Sequence, residues 1–145
     1  METSLASTSS ATEPMKRRHA ILTLGAALVA SVMPSESPEA AEQKYPDVLA
    51  AKVRAVGKDV FDFDVTVSSP YDSARRYADG LRARSSEGRV YGERKLVHDH
   101  ASEQPFTRDM YGVKVPVGIT SVVIEARDQK YGYGGKTVVV VLPGR

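Results

Sequence analysis

Phe61-Asp62-Phe63-Asp64-Val65-Thr66-Val67 alternates apolar and polar residues without a break. In an extended chain successive side chains point to opposite faces. Phe61, Phe63, Val65 and Val67 therefore share one face, and Asp62, Asp64 and Thr66 share the other. The pattern is that of a half-buried β-strand. Ser68-Ser69-Pro70 ends it, because proline has no N–H to give to a ladder. The two aspartates are most simply the solvent face of this strand, not a pair of catalytic carboxylates.

The same period recurs on both sides. Residues 49–56 form a weaker strand, joined to the first by the turn Gly57-Lys58-Asp59. Residues 77–84 carry Tyr77, Leu81 and Ala83 on one face. Ser85-Ser86-Glu87-Gly88 is a hairpin turn, followed by strands over 90–97 and 106–115. Pro116-Val117-Gly118 reads as a tight turn with Pro at its second position and Gly at its fourth. Val122, Ile124 and Ala126 alternate in a strand over 119–127. The last strand covers 136–142, and its Val138 to Val141 run reads as buried on both faces. Residues 73–81 lack strict alternation and would also suit a helix.

About seven short strands at roughly 8–12-residue spacing predict an all-β domain, a single antiparallel β-sandwich of immunoglobulin or fibronectin III-like type. Neither the cysteine pair nor the tryptophan of antibody domains is present, so spacing carries the assignment. A barrel is the alternative.

At the other end of the chain, Lys16-Arg17-Arg18 precedes an apolar run from Ala20 to Met33, then Pro34-Ser35-Glu36-Ser37-Pro38. A short basic segment, a hydrophobic core and a polar exit make a secretory signal peptide. An uncleaved anchor needs about 20 apolar residues, and this run is shorter. Cleavage is expected between Ser31 and Ala41. The twin Arg17-Arg18 lacks the rest of a twin-arginine signal, so the general secretory route is expected. The chain has no cysteine, which argues against a lipid-anchored lipoprotein. The protein is expected to be periplasmic or secreted, meeting the membrane only during export.

The domain plan is then 1–14, a disordered or mis-called extension before a second start at Met15; 15–41, signal peptide and exit; 42–47, linker; and 48–145, the sandwich. Without cysteine there is no disulfide framework, although export would allow one. The 20 Lys/Arg and 18 Asp/Glu are interspersed, with a net charge of +2. That argues for a solvated surface more than for a nucleic-acid tract, and with export no nucleic-acid partner is expected.

Two segments exceed what plain sandwich loops require. His98 and His100 lie two apart, so on an extended segment both imidazoles point one way. With Glu103, or with Asp99, Asp109 or Met110, they would make a zinc or copper site. The bland reading is a polar loop in which Pro105 fixes the next strand, Phe106 anchors the core and Arg108 pairs with Glu103 or Asp109. The second segment runs from Glu125 to Lys136. Its glycines permit positive φ and close approach. Tyr131, Tyr133 and Lys136 supply amphipathic contact surface. In an immunoglobulin order it shares an end with the loop holding Tyr71, Arg75 and Arg76, giving a mixed aromatic and cationic patch. The bland reading is a flexible hairpin.

His-x-His-x-x-Glu-Gln-Pro-Phe-Thr-Arg (His98 to Arg108), Gly-Val-x-Val-Pro-x-Gly (Gly112 to Gly118) and Glu-Ala-Arg-Asp (Glu125 to Asp128) resemble a group of small exported bacterial proteins of unassigned function. The resemblance implies an exported β-sandwich and transfers no catalytic residue.

Catalysis finds little support. There is no cysteine, no serine with a spaced His–Asp set and no phosphate loop. The sequence predicts an exported, non-catalytic binding or accessory module that uses its loop ends on a protein or small ligand. A metal-handling protein using His98 and His100 is the alternative, and a structural domain pairing through an exposed edge strand is a third.

Overall fold

The computed structural model describes residues 43–145; the leader, the signal segment and its exit lie outside the described residues. The described chain is all β. Its strands are β1 (Asp47–Gly57), β2 (Val60–Ser68), β3 (Ala78–Arg84), β4 (Val90–Lys95), β5 (Phe106–Lys114), β6 (Ser121–Asp128), β7 (Gly132–Tyr133) and β8 (Val138–Val141). They form two antiparallel sheets. One has the order β1-β2-β5; the other has the order β4-β3-β6-β7, with β8 also pairing β6. This is the immunoglobulin/fibronectin III-like sandwich that the strand spacing predicts.

β2 is the centre of the smaller sheet because its alternation is strict. Phe61, Phe63, Val65 and Val67 are all buried, while Asp62, Asp64 and Thr66 are partly exposed. β6 plays the same part opposite, burying Val122, Ile124 and Ala126. Met110 and Val113 of β5, Leu81 and Ala83 of β3, and Leu96, Phe106 and Leu142 complete one core. The solvent-facing aspartates have a structural use: Arg54 of β1 pairs with both Asp64 and Asp62.

Two devices close the ends and edges of the sandwich. Gly92 of β4 faces Val113 of β5, and a Cβ there would stand 2.9 Å from a Val113 methyl. Glycine thus lets the two sheets meet at that edge, where Arg94 also pairs with Asp109. At the far end Arg145 reaches back to Asp59, to the carbonyls of Val115 and Ile119, and over the Phe61 ring. Its side chain is only 11% exposed.

Several expectations need correction. No helix replaces residues 73–81; Ser73 and Arg76 instead exchange backbone bonds in a tight turn. Tyr77 lies outside β3, and a bulge between Ala78 and Gly80 resets the alternation. The Pro116 turn is shifted by one residue: Ile119 N–H bonds to the Pro116 carbonyl, and Gly118 takes φ +91° as its third residue. The run Val138–Val141 is not buried on both faces. Val140 is buried, but Val139 and Val141 are 64% and 71% exposed, because successive side chains point to opposite faces and only one face of the larger sheet meets the core. Residues 43–47 are not a loose linker. Pro46 is fully buried, Gln43 donates to the Ser68 carbonyl, and β1 already begins at Asp47.

Candidate functional site: one loop end of the sandwich

The antiparallel order brings four segments to one end: residues 43–46 before β1, 69–77 between β2 and β3, 96–105 between β4 and β5, and 129–137 around β7. The loop carrying His98 and His100 therefore lies at the same end as the tyrosine loops.

Asp128 organises the first half of this end. It closes β6, is fully buried, and accepts from Arg76 Nε at 3.1 Å and from the backbone N–H groups of Lys130 and Tyr131 at 2.9 and 2.8 Å. An aspartate that binds its own backbone two and three residues on is a turn device. Burial opposes its ionisation. The Tyr71 hydroxyl, the Tyr131 N–H, Arg76 and the Lys130 N–H outweigh that penalty and hold the carboxyl below its ordinary value. The buried Tyr71 hydroxyl is directed at this carboxylate without a bond of good geometry. Burial and the nearby negative charge push its own ionisation up.

Arg76 then stacks on two rings. Its guanidinium carbon lies 4.1 Å from the Tyr71 centroid and 4.9 Å from that of Tyr131, and its Nη2 donates to the Lys44 carbonyl. Tyr131 is 43% exposed. Tyr45 meets it edge-on at 6.3 Å, and the Lys130 and Lys44 ammonium groups lie 5.2 and 5.8 Å from its centre. Tyr71, Arg76 and Tyr131 therefore come together as the sequence predicts. Arg75 and the Lys136 side chain sit exposed at the rim.

Tyr133 does not join them. Gly132 takes φ +79°, which breaks the alternation, so Tyr133 turns onto the outer face of the larger sheet. There the Arg82 guanidinium stacks 3.6 Å above its ring. Arg82 and Arg84 both grip the buried Glu125. The glycines that follow serve packing. A Cβ on Gly134 would stand 2.7 Å from the Tyr45 ring, and one on Gly135 would stand 2.0 Å from the Pro46 carbonyl oxygen. Lys136 N–H bonds Asp47 Oδ1 at 2.8 Å, and Val48 N–H bonds the Lys136 carbonyl at 2.9 Å.

The second half of the end is built on Asp72, also buried. Its Oδ1 accepts from Ala78 N–H and its Oδ2 from His100 N–H, each at 3.0 Å. Gln104 adds a clamp, accepting from Ser69 N–H and donating to the His100 carbonyl. His98 and His100 do approach, with ring centroids 4.7 Å apart. Their environments differ: His98 is exposed, while His100 is 3% exposed and stacks flat on Phe106 at 3.9 Å. Neither ring nitrogen of His100 has a hydrogen-bond partner among the described residues. Burial, then Arg108 and His98, lower its basicity.

The other named ligands are engaged elsewhere. Glu103 pairs with Arg108, Asp109 with Arg94, Asp99 caps Ala101 N–H, and Met110 is a core residue. Among the described residues no group of three or more His, Cys, Asp or Glu side chains could hold a metal ion. Sequence reading passed over Asp128, Asp72, Gln104 and Tyr45. Asp128 at the end of a strand, before a polar turn, was the available signal.

No family model matches the chain, and no solved structure matches it. It is similar to a protein of Halomicrobium mukohataei provisionally named a lipoprotein, with 36% identity over 94 residues. The alignment covers 65% of this chain and 46% of that relative, so the chain spans less than half the relative's length.

Proposed function

We propose that this protein is an exported, cell-envelope-associated accessory domain that binds an acidic partner through the Tyr131 end of its sandwich. The observation that carries the reading is a half-exposed tyrosine ring held rigidly among cations. Arg76 fixes Tyr131 from one side, and Lys44 and Lys130 lie at its rim. Among the described residues Lys44, Arg75, Lys130 and Lys136 enter no ion pair, whereas Asp72 and Asp128, the buried acids of this end, are consumed internally. A rigid amphipathic ring costs little ordering entropy on binding. A ring flanked by unpaired lysines steers partners of opposite charge.

Export rests on the basic, apolar and polar order of residues 16–38. The lipoprotein name of the Halomicrobium relative agrees with an envelope location.

The test is recovery of envelope proteins on immobilised full chain, compared with Lys44→Glu/Lys130→Glu/Lys136→Glu. The reading expects partners retained by the parent chain and lost by the triple variant at an unchanged thermal midpoint. Identical recovery by both chains overturns it. Fractionation of expressing cells, with the mature N-terminus read by mass spectrometry, tests export. Intact protein confined to the cytoplasm defeats that part.

A further inference from the structure

The sandwich has outer strands on both sheets, and three of them carry devices that discourage pairing. β1 presents Lys52 and Arg54 and is interrupted by register shifts near each end. β4 exposes Glu93 and Lys95. β5 exposes Lys114 and bulges beside Gly112, whose φ is +64°. Charged side chains and bulges are the usual protection of an open edge. β8 has neither. Its four residues are all valine, and no charge occurs between Lys136 and Arg145.

Hydrogen-bond parity shows what this edge offers. Leu142 N–H donates to the Thr120 carbonyl at 2.8 Å. β8 pairs β6 as Ser121↔Val141, Val122↔Val140, Val123↔Val139 and Ile124↔Val138. Bonded and non-bonded pairs alternate along an antiparallel ladder. Val138, Val140 and Leu142 therefore turn their backbone groups toward β6, and Val139 and Val141 turn theirs away from it. Among the described strands β8 pairs with β6 alone. β1 runs beside β8, and its Asp47 and Val48 both bond Lys136 just before β8 begins, but it forms no ladder with Val138–Val141. The side chains of Val139 and Val141 are also the exposed ones. Each of these residues leaves both an unpaired backbone and a bare apolar side chain at the rim.

We infer that β8 is a self-association edge: two copies of this chain join β8 to β8 in antiparallel fashion about a two-fold axis, extending the larger sheet across both. The occupant follows from chemistry. A partner strand must be long enough and bring no charge against four valines; the two-residue β7 is too short, and among the other outer strands only a second β8 meets that condition. It must also match two alternations together. Centring the axis on Val140 places Val139 opposite Val141 of the second copy. Their outward N–H and C=O groups then bond, their side chains share the outer face, and Val140 meets its own copy on the core side. A slip by one residue sets exposed valines against buried ones and is excluded. This is an isologous contact, closed by its own symmetry.

The chain has no cysteine, so single cysteines report the contact directly. Opposed bonded residues lie about 5.5 Å apart at Cα, within disulfide range. The full chain is prepared as Val139→Cys, Val141→Cys and, as an exposed control on β1, Leu49→Cys. After mild oxidation an equimolar mixture of the first two is expected to give a covalent dimer at several times the yield of either alone, and Leu49→Cys is expected to give none. No dimer in the mixture, or equal yields from all samples, overturns the inference. Adding Val140→Lys to both cysteine chains is expected to abolish the link.

Discussion

Arg76 and Asp128 lie 52 positions apart in sequence and meet at 3.1 Å, the arginine stacked between Tyr71 and Tyr131 and the aspartate fully buried. One pair thus joins the β2–β3 loop to the end of β6 and, through the Lys44 carbonyl, to the chain before β1. The half-exposed tyrosine owes its fixed position to this pair.

Replacing Asp128 by Asn leaves a partly buried guanidinium without its counter-charge. Removing one partner of a buried pair costs about 3–5 kcal/mol. Arg76 keeps some solvent contact, so the expected loss is nearer about 2–3 kcal/mol. Arg76→Lys also destabilises, since an ammonium cannot stack between two rings while bonding both a carboxylate and a carbonyl. Urea unfolding of each variant measures the effect, and a midpoint unchanged for Asp128→Asn refutes the account.

Asp128 also sets an acid limb. Its folded ionisation constant lies below the ordinary 3.8, so the folded state favours the carboxylate. The stability it contributes is complete above the unfolded value and is lost as pH falls through the folded one. The parent chain should lose stability more steeply than Asp128→Asn below about pH 4. Parallel stability curves for the two chains in that range contradict this.

His100 gives the opposite kind of group. Its folded value is below 6.5, so the unfolded chain takes up the proton first. Stability therefore falls as pH drops through about 6.5 and stops falling below the folded value. His100→Phe keeps the stack on Phe106 and removes two buried nitrogens without partners. It is expected to stabilise by about 1 kcal/mol at pH 7, and by more at pH 5. Thermal unfolding at both values decides; a destabilised variant means the ring nitrogens have partners after all.

Gly135→Ala is expected to cost about 2 kcal/mol or more, because its Cβ would lie 2.0 Å from the Pro46 carbonyl oxygen and backbone on both sides must shift. Gly88→Ala has open space and meets only the strain of φ +103°, about 1 kcal/mol. Denaturant midpoints rank the two, and the order should be as given.

The strands were legible because β2 and β6 each have one wet face and one dry face, and water enforces the alternation. The valine run of β8 offers no alternation to read: four valines look alike whether or not the outer face of their sheet is covered, and that is decided by residues far away. Tyr131 and Tyr133 read in the sequence as one contact surface, but Gly132 between them leaves the extended conformation and their rings part. His98 and His100 did approach, but Phe106 captured one ring and left the other in water. The close passage of Gly134 and Gly135 under Tyr45 and Pro46 was invisible, since nothing in a glycine pair names the segment that will press on it.

That passage has a mechanical consequence. Gln43 holds the end of β2, Val48 holds Lys136, and Pro46 is pinned beneath Gly135. A pull applied ahead of residue 43 is therefore borne by both sheets at once, through the ends of β1 and β2 and the segment before β8. The first few described residues act as a strain relief, as a cable clamp does where a cord enters its housing.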